Sequence, residues 1–236
     1  MISVIIPTMW KFKPFPKFLG DMLSSPYVGE VLIVDNHSID NPNHEIFKHP
    51  KITMHNFGRN TFVNPAWNFG VQHAKYDKVC ILNDDVIFDL KLFHRIYLHL
   101  TPEKGVFGIS PGVKDTVQIP VTTGEIDIIH SPNPYHYRDH LGFGMLMMLH
   151  RHNWIPIPQG LDIFWGDNFI YDTLYFKLNQ NYLITNMFHH TPYASTTSTV
   201  EGVNDIVSRE GIVYNTIMPE LINRIKVENA YRTGFL

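Results

Sequence analysis

The sequence has 236 residues, of which 44% are hydrophobic and 13% aromatic, so it can bury a sizeable core within one large domain. Charged residues make up only 17% of the chain and the formal net charge is −3, which argues against duplex nucleic acid as a partner. The single cysteine, Cys80, excludes an intrachain disulfide and lies in an apolar run, where we expect a buried, unreactive thiol.

No apolar stretch approaches the roughly 18–20 residues of a membrane span. The N-terminal run "MISVIIP" is also too short for the apolar region of a signal peptide. We therefore expect a soluble, unprocessed, cytoplasmic protein, and the sequence leaves its oligomeric state open.

Four short runs rich in Val, Ile and Leu predict strands in the first half of the chain, at residues 2–7, 30–35, 51–57 and 78–84. Three of the four are almost continuously apolar, which is typical of parallel strands covered on both faces. Helices are predicted at residues 16–25, 41–48, 65–75 and 90–100, with Asn64 and Asp89 as N-caps of the last two. Strand and helix in alternation predict βαβ units, hence an α/β fold with a mostly parallel sheet flanked by helices.

The second half is less regular. Strands are predicted within "GVFGISP" at 105–111, "EIDIIH" at 125–130 and "FGMLMMLHR" at 143–151, and a mostly buried helix in "GDNFIYDTLYFKLNQ" at 166–180. A loop at 194–205 and a helix around 219–228 follow. The simplest organisation is one domain, residues 1–205, with a C-terminal extension, residues 206–236, packed on the same domain.

Three of the predicted strands end in polar or turn-forming residues. These are Pro7 and Thr8 after the first strand, Asp35 and Asn36 after the second, and Asn83, Asp84 and Asp85 after the fourth. Because ligands of parallel α/β sheets sit beyond the carboxyl ends of the strands, these side chains predict one common ligand edge.

The adjacent carboxylates of Asp84 and Asp85 repel one another and favour a proton or a hard divalent cation beside them. Neighbouring side chains of an extended strand point to opposite faces, so the two converge on one ion only if the chain turns here. We expect the strand to end at this point and "VIFD" to form an extended turn or a second short strand. The alternative is a turn or capping pair that binds no ligand.

Several motifs follow one another in an order that resembles a glycosyltransferase of the GT-A fold, family 2 type, over residues 2–195. They are "SVIIPT", "VLIVDNHS", "NPAWNFGVQHA", "LNDDV", "GFGMLMMLHR" and "FWGDNFIYD". The resemblance implies a Rossmann-like sheet with a smaller acceptor-side region. It also implies a nucleotide-diphosphate sugar donor, UDP-type, lying across the strand ends, with manganese or magnesium on the diphosphate.

The resemblance assigns roles to the strand-end residues. Thr8 and Asp35 hold the nucleoside, Asp84 lies at the ribose, and Asp85 is the firmest metal ligand. The remaining donor-binding residues are Pro7, Asn36, Asn68 and Asn83.

Two positions depart from the family pattern. Asn83 replaces an Asp and contributes no charge, and Trp67 replaces the Arg of an "ARN" motif. Arg59 can substitute for the latter as a phosphate or base contact, or it is a solvated surface arginine.

Inverting sugar transfer needs a base that takes the proton of the acceptor hydroxyl and stands apart from the metal pair. Asp167, in "FWGDNFIYD", resembles the residue that supplies this base in the family. Its alternative role is a helix N-cap, which favours the same residue type. Asp172 lies one and a half turns into the predicted helix and fits the role less well.

A third metal ligand is implied on the C-terminal side, in "NMFHHTPYAST", where His190 matches the family spacing better than His189 but the choice stays open.

The aromatic rings and histidines of residues 130–140 indicate an acceptor-side loop, since their spacing matches no zinc site. The acceptor, a glycan or another hydroxyl compound, is expected to contact residues 110–145 and the tail.

Four hypotheses follow. An inverting, metal-dependent glycosyltransferase leads, and a retaining one stays open because both kinds share the metal motif. A sugar nucleotidyltransferase is disfavoured because "PTMWKFKPFP", after the first strand, has no glycine for a phosphate loop. A catalytically silent nucleotide- or carbohydrate-binding module of the same fold is the remaining alternative.

Overall fold

The computed structural model describes residues 1–36, 44–109, 126–131, 143–185, 187, 189–190 and 202–232, with only the backbone described at 189 and 190. The strands are β1 Ile2–Thr8, β2 Val28–Asp35, β3 Ile52–Asn56, β4 Lys78–Leu82, β5 Ile87–Phe88, β6 Phe107–Ile109, β7 Asp127–Ser131, β8 Leu146–His150, β9 Asn181–Thr185 and β10 His189–His190. The α-helices are α1 Phe15–Leu23, α2 Val63–His73, α3 Lys91–Ile96, α4 Gly166–Leu178 and α5 Val203–Arg232. Short 3₁₀ helices span Glu45–Lys48, Phe143–Met145 and Arg151–Asn153.

Eight strands form one sheet in the order β3-β2-β1-β4-β8-β6-β9-β7. β1 to β4 are mutually parallel, β8 is antiparallel to both of its neighbours, and β9 is parallel to β6 while β7 closes the edge antiparallel. The expected mostly parallel α/β sheet is therefore confirmed, and so are the four strands of the first half.

The strands of the first half are apolar on both sides because the sheet has a core on each face. Val4 and Ile6 of β1 pack in one core, and Ile5, between them, packs in the other. Cys80 of β4 is fully buried, which raises the pKa of its thiol, as expected of an unreactive core residue.

Helix boundaries differ from the predicted ones where tertiary contacts outweigh local signals. α2 begins at Val63, so Asn64 is not its N-cap; it is a fully buried residue of the first turn. The helix predicted at 41–48 is a 3₁₀ helix at Glu45–Lys48, and residues 41–43 lie outside the described part. α3 ends at Ile96, four residues short of the prediction. At the start of α3, the Asp89 carboxylate accepts a hydrogen bond from Lys91 N at 2.9 Å.

The C-terminal helix is much longer than the predicted 219–228. α5 runs for 30 residues and passes through Pro219, although a proline removes one helical hydrogen bond. Burial of Tyr214 and Met218 on one side of the proline and of Ile225 on the other holds the helix together. Residue 205, where we placed the end of the domain, lies inside this helix.

α5 packs along α4. The Tyr214 hydroxyl donates to the buried carboxylate of Asp172, and Asn229 Nδ2 donates to Phe176 O at 3.1 Å near the other end of α4. Of the helices that the structure describes, none combines the length and the apolar character needed to cross a membrane.

Candidate active site

The carboxyl ends of three parallel strands meet at one edge of the sheet, as predicted. Thr8 and Asp35 are partners in the register of β1 and β2, and Asn36 N donates to Thr8 O at 2.8 Å. The Thr8 hydroxyl donates to Asp84 Oδ2 at 2.5 Å, which joins the end of β1 to the residues that follow β4. Pro7, one residue earlier, is buried within β1.

The chain turns at the acidic pair, which confirms the expectation drawn from its spacing. Asn83 N donates to Met145 O at 3.0 Å, and Val86 N returns to Asn83 O at 3.4 Å, closing a turn around Asp84 and Asp85. β5 follows as the expected second short strand. Asp85 is buried, with 5% of its surface exposed, while Asp84 is half-buried.

Burial raises the pKa of Asp84, and the hydrogen bond from Thr8 and the positive charge of Lys11 act against that rise. A carboxylate whose charged form is disfavoured by burial gains from any further cation placed beside it. Electrostatics at this turn therefore favour either a proton on Asp84 or a cation beside it.

The backbone of His189 and His190 lies beside the strand that follows this turn. β10 pairs antiparallel with β5, with His190 opposite Ile87 and His189 opposite Phe88. The side chains of both histidines lie outside the described part of the chain.

Among the side chains that are described, no group of three or more His, Cys, Asp or Glu is arranged to hold a metal ion. Magnesium, however, is commonly held by one or two carboxylates together with substrate phosphates. Asp84 and Asp85 fit that donor set, and the metal stays a prediction.

Asp35 is fully buried, and both of its carboxylate oxygens are bonded within the protein. Trp10 Nε1 donates to Oδ1 at 2.8 Å and Asn56 Nδ2 donates to Oδ2 at 2.8 Å. Sequence reasoning missed both donors, although Asn56 ends β3 and the rule applied to the other strand ends would have found it.

Asn36 anchors the loop at residues 57–62. Its Oδ1 accepts from Thr61 N at 3.1 Å and from the Thr61 hydroxyl at 2.7 Å, and its Nδ2 donates to Phe62 O at 3.1 Å. The loop carries Arg59 and two large side chains, Phe57 and Phe62, that are 44% and 41% exposed. The amide of Asn36 thus fixes the C-terminal end of a loop that carries an exposed arginine.

Asn68 lies on α2 and pairs with a backbone segment. Its Nδ2 donates to Ile157 O and its Oδ1 accepts from Ile157 N, both at 2.9 Å. Trp67, where the family has Arg, is buried in the core. These contacts tie α2 to residues 154–161, and the donor-binding role of Asn68 stays a prediction.

Asp167 lies in the first turn of α4, where Trp165, and not Asp167, occupies the N-cap position. Its Oδ2 accepts from Gly144 N at 3.2 Å and its Oδ1 from Asn168 N at 3.0 Å. Burial raises the pKa of this carboxyl, and the backbone hydrogen bonds lower it less.

The two acidic centres are joined through the 3₁₀ helix Phe143–Met145. Gly144 N bonds Asp167, and the next residue, Met145, accepts through its carbonyl from Asn83 N at the acidic turn. A Cβ at Gly144 would lie only 2.7–2.9 Å from Asp167 side-chain atoms, so this approach requires glycine. The sequence signal was the "GFGM" motif, which sequence analysis used only as part of a pattern.

The loop at residues 161–166 carries Asp167 into α4. Within it, Trp165 packs against α5, with its ring centroid 5.0 Å from that of Tyr214 and Nε1 donating to Val207 O at 3.0 Å. The indole therefore belongs to the contact between the loop and the C-terminal helix.

Three bulky residues at this end of the sheet have left-handed backbone conformations. The φ angles are 58° at Trp10, 65° at Phe62 and 61° at Trp165. Such conformations cost about 1–3 kcal/mol each and persist where surrounding contacts over-determine them. All three residues flank the candidate site, which is where such strain concentrates in enzymes.

The fold is that of nucleotide-sugar transferases of the GT-A class. A crystal structure of S. aureus TarS 1-349 in complex with UDP-GlcNAc has a TM-score of 0.61 and 16% identity, over 85% of this chain and 61% of that chain. Another crystal structure of S. aureus TarS 1-349 has a TM-score of 0.58 and 16% identity, over 82% of this chain and 58% of that chain. This chain thus spans about 60% of the TarS chains it resembles, and the likeness shows the fold.

The sequence profile described as Glycosyl transferase family 2 matches residues 3–177, and the chain belongs to that family. The match covers β1 through almost all of α4, including every strand end described above. A comparison with curated protein sequences finds no match.

Proposed function

We propose that the protein transfers a sugar from a UDP-type nucleotide-diphosphate sugar to a hydroxyl group of an acceptor, a glycan or another hydroxyl compound, with inversion. The observation that carries this proposal is the separation of two acidic centres, the turn at Asp84 and Asp85 and the single carboxylate of Asp167, joined through Gly144 and Met145. Membership of glycosyl transferase family 2 supports it, as does a similar fold in a protein crystallised with UDP-GlcNAc.

Donor binding is assigned to the edge formed by Thr8, Asp35 and the acidic turn. Asp35 is the proposed contact to the base. Trp10 and Asn56 each donate to one of its oxygens and the side chain is fully buried, so a base that bonds a remaining lone pair of Asp35 requires a neighbouring side chain, such as Trp10, to move. Arg59, on the exposed loop that Asn36 anchors, is the proposed contact to phosphate or base.

Asp85 would hold manganese or magnesium, with Asp84 beside it and His190 or His189 as a further ligand. When bound, the ion would neutralise the charge that develops on the departing diphosphate. The carboxylates of this turn keep the cation and the diphosphate at the ends of β1 and β4.

Asp167 is the proposed general base. Burial raises its pKa, which makes the carboxylate a stronger base than a solvated aspartate, and Gly144 N fixes one oxygen while leaving it a second lone pair. It takes up the proton of the acceptor hydroxyl as the hydroxyl oxygen bonds to the anomeric carbon, and the bond from that carbon to the diphosphate oxygen breaks, which releases the nucleoside diphosphate.

The test is an assay of a panel of nucleotide sugars with and without manganese. Turnover is measured as loss of donor and formation of product. We expect a UDP-sugar to be consumed in a metal-dependent manner, Asp85→Ala to abolish turnover, and Asp167→Ala to abolish turnover while donor binding is retained. Because Asp167 has to be deprotonated to act as a base, kcat should fall as the pH is lowered. The apparent pKa of this acid limb should lie above the usual aspartate pKa of about 3.9.

Retained transfer by Asp167→Ala would disprove the assignment of the base. Tight nucleotide binding with no turnover and no metal requirement would instead indicate a catalytically silent module. Asp167→Asn is the matched control for folding. In Asp167→Asn the new NH₂ group faces one of two backbone donors, Gly144 N or Asn168 N, so the prediction concerns the pH trend. Because the raised pKa means that the folded parent favours the neutral carboxyl, the stability of the variant relative to the parent should decrease as the pH falls through the raised pKa.

A further inference from the structure

A buried glutamate of the C-terminal helix, Glu210, lies behind the loop that leads into Asp167. Its side chain is fully buried at 0% exposure. The carboxylate accepts from two successive backbone amides, Phe164 N to Oε2 at 2.8 Å and Ile163 N to Oε2 and Oε1 at 3.2 and 3.3 Å. Two backbone amides of the loop thus depend on one side chain of a helix more than 40 residues further along the chain.

The same loop is held from the opposite side by α2. Asn64 Nδ2 donates to Phe164 O at 3.0 Å and to Leu161 O at 3.1 Å. Phe164 therefore has its N–H bonded to α5 and its C=O bonded to α2. This double attachment leaves the chain little freedom as it approaches Asp167, three residues later.

The residues between Phe164 and Asp167 are equally constrained. Trp165 has a left-handed backbone, and its indole is bonded to α5 at Val207 O. Gly166 packs so closely on Asn64 that a Cβ would lie 2.1 Å from Asn64 Oδ1. A shift of the Phe164 amide therefore has to be passed on to Asp167, because the intervening residues have no alternative position.

We propose that Glu210 is a positioning residue for the base: it fixes the loop at residues 161–166 so that the Asp167 carboxylate stays against Gly144. The proposal rests on the proposed function of Asp167. Glu210 is fully buried, and it acts through the backbone of Ile163 and Phe164.

The chemistry of the contact suggests a graded set of variants. Glu210→Gln keeps the length and one acceptor oxygen, but its NH₂ group is a donor that would face a backbone donor. Glu210→Asp is one methylene too short to reach the amides, and Glu210→Ala removes both acceptors. We expect the loss of positioning to be smallest in Glu210→Gln, larger in Glu210→Asp and largest in Glu210→Ala.

The control has to weaken α5 without touching the loop's backbone bonds. Met218 of α5 is buried in the hydrophobic core together with Tyr214. It lies eight residues after Glu210, or about 12 Å along the helix axis. Met218→Ala should lower the melting temperature and leave kcat within about twofold, measured where all variants are folded.

Two measurements on the full-length chain decide the matter. Amide hydrogen exchange of a peptide covering residues 161–168 should become about tenfold faster in Glu210→Gln and remain at the parent rate in Met218→Ala. In parallel, kcat with the active nucleotide sugar should fall by about 10- to 100-fold in Glu210→Gln, with KM for the donor changed less than about twofold.

Unchanged exchange of 161–168 in the Glu210 variants would overturn the proposal, whether or not the parent protein turns over any nucleotide sugar. Equal loss of kcat in Met218→Ala and Glu210→Gln at matched melting temperatures would overturn it too, since that is the result of a purely structural role. An inactive parent protein in which Glu210→Gln loosens the loop would instead overturn the proposed function and leave the positioning by Glu210 supported.

Discussion

Glycine at position 144 decides how closely the backbone beside β8 can approach Asp167. The contact is made by a backbone N–H, and the absence of a side chain is what allows it. The requirement is specific to position 144, because a Cβ there would lie within 3 Å of Asp167 side-chain atoms.

Gly144→Ala should therefore act on catalysis more than on folding. Its Cβ would lie 2.7 Å from Asp167 Cβ and 2.8 Å from Oδ2, so the carboxylate must move, and we expect kcat to fall by about 10- to 100-fold. Steady-state kinetics with the active donor, together with the donor dissociation constant, measure the effect.

Gly20→Ala is the matched control. Gly20 lies inside α1, where a Cβ would meet only Ile46 Cδ1 at an ordinary 3.7 Å, and alanine is favoured over glycine in a helix by about 1 kcal/mol. This variant should melt slightly higher and keep its kcat. Full activity in Gly144→Ala would show that Asp167 is not held in its working position by this contact.

At the scale of the elements, the loop at residues 57–62 depends on the end of β2. Asn36 uses both ends of its amide to hold the loop, at Thr61 and Phe62, and the same loop carries the exposed Arg59. If Arg59 contacts the donor, removing Asn36 should weaken donor binding although Asn36 itself is occupied within the protein.

A double-mutant cycle tests this dependence. Arg59→Ala and Asn36→Ala should each weaken binding of UDP or the active UDP-sugar, and the double variant should be little worse than the more severe single one, because both changes disable the same arginine. Isothermal titration gives the four dissociation constants. Additive losses would mean that the two residues act independently and that the loop does not carry Arg59 to the donor.

Strand ends were predictable from the sequence, whereas the supports of the site were not. The continuous apolar runs located β1, β2 and β4, and the rule for parallel sheets then brought Thr8, Asp35 and Asp84 to one edge. Local signals predicted that Asn64 is an N-cap, which is wrong. The reason is that an asparagine followed by a proline is also the usual sequence at the start of a helix. Glu210 gave no signal, since a glutamate in a helix is usually solvated and only the packing of α5 on the loop buries it.

At the scale of the whole molecule, α5 is part of the domain core. It is about 45 Å long by the helical rise, and it buries Tyr214, Met218 and Ile225. Each such side chain contributes about 1.5–3 kcal/mol on burial, so three of them together approach the entire stability of a typical domain.

A chain ended after Gly202 should therefore lose its cooperative thermal transition, even though it retains all of the residues that match the family profile. Calorimetry or circular dichroism at increasing temperature measures this. Ile212→Ser, on the exposed side of α5 where Ile212 is 69% exposed, is the control and should shift stability by no more than about 0.5 kcal/mol. A truncated chain that melts cooperatively at the parent temperature would show that α5 is dispensable to the fold.

The support that Glu210 gives to the loop also sets the order in which the site can be completed during synthesis. β1 to β4 and the acidic turn are made within the first 86 residues, but the amide of Asn83 is bonded only after Met145 has been made, and β4 pairs with β8 only after residue 150. The loop before Asp167 can be held only after residue 210 has been made, and β5 can pair only after residue 190. Because the cooperative fold is expected to need α5, a nascent chain should complete neither the strand-end edge nor the position of Asp167 until the C-terminal helix has been made.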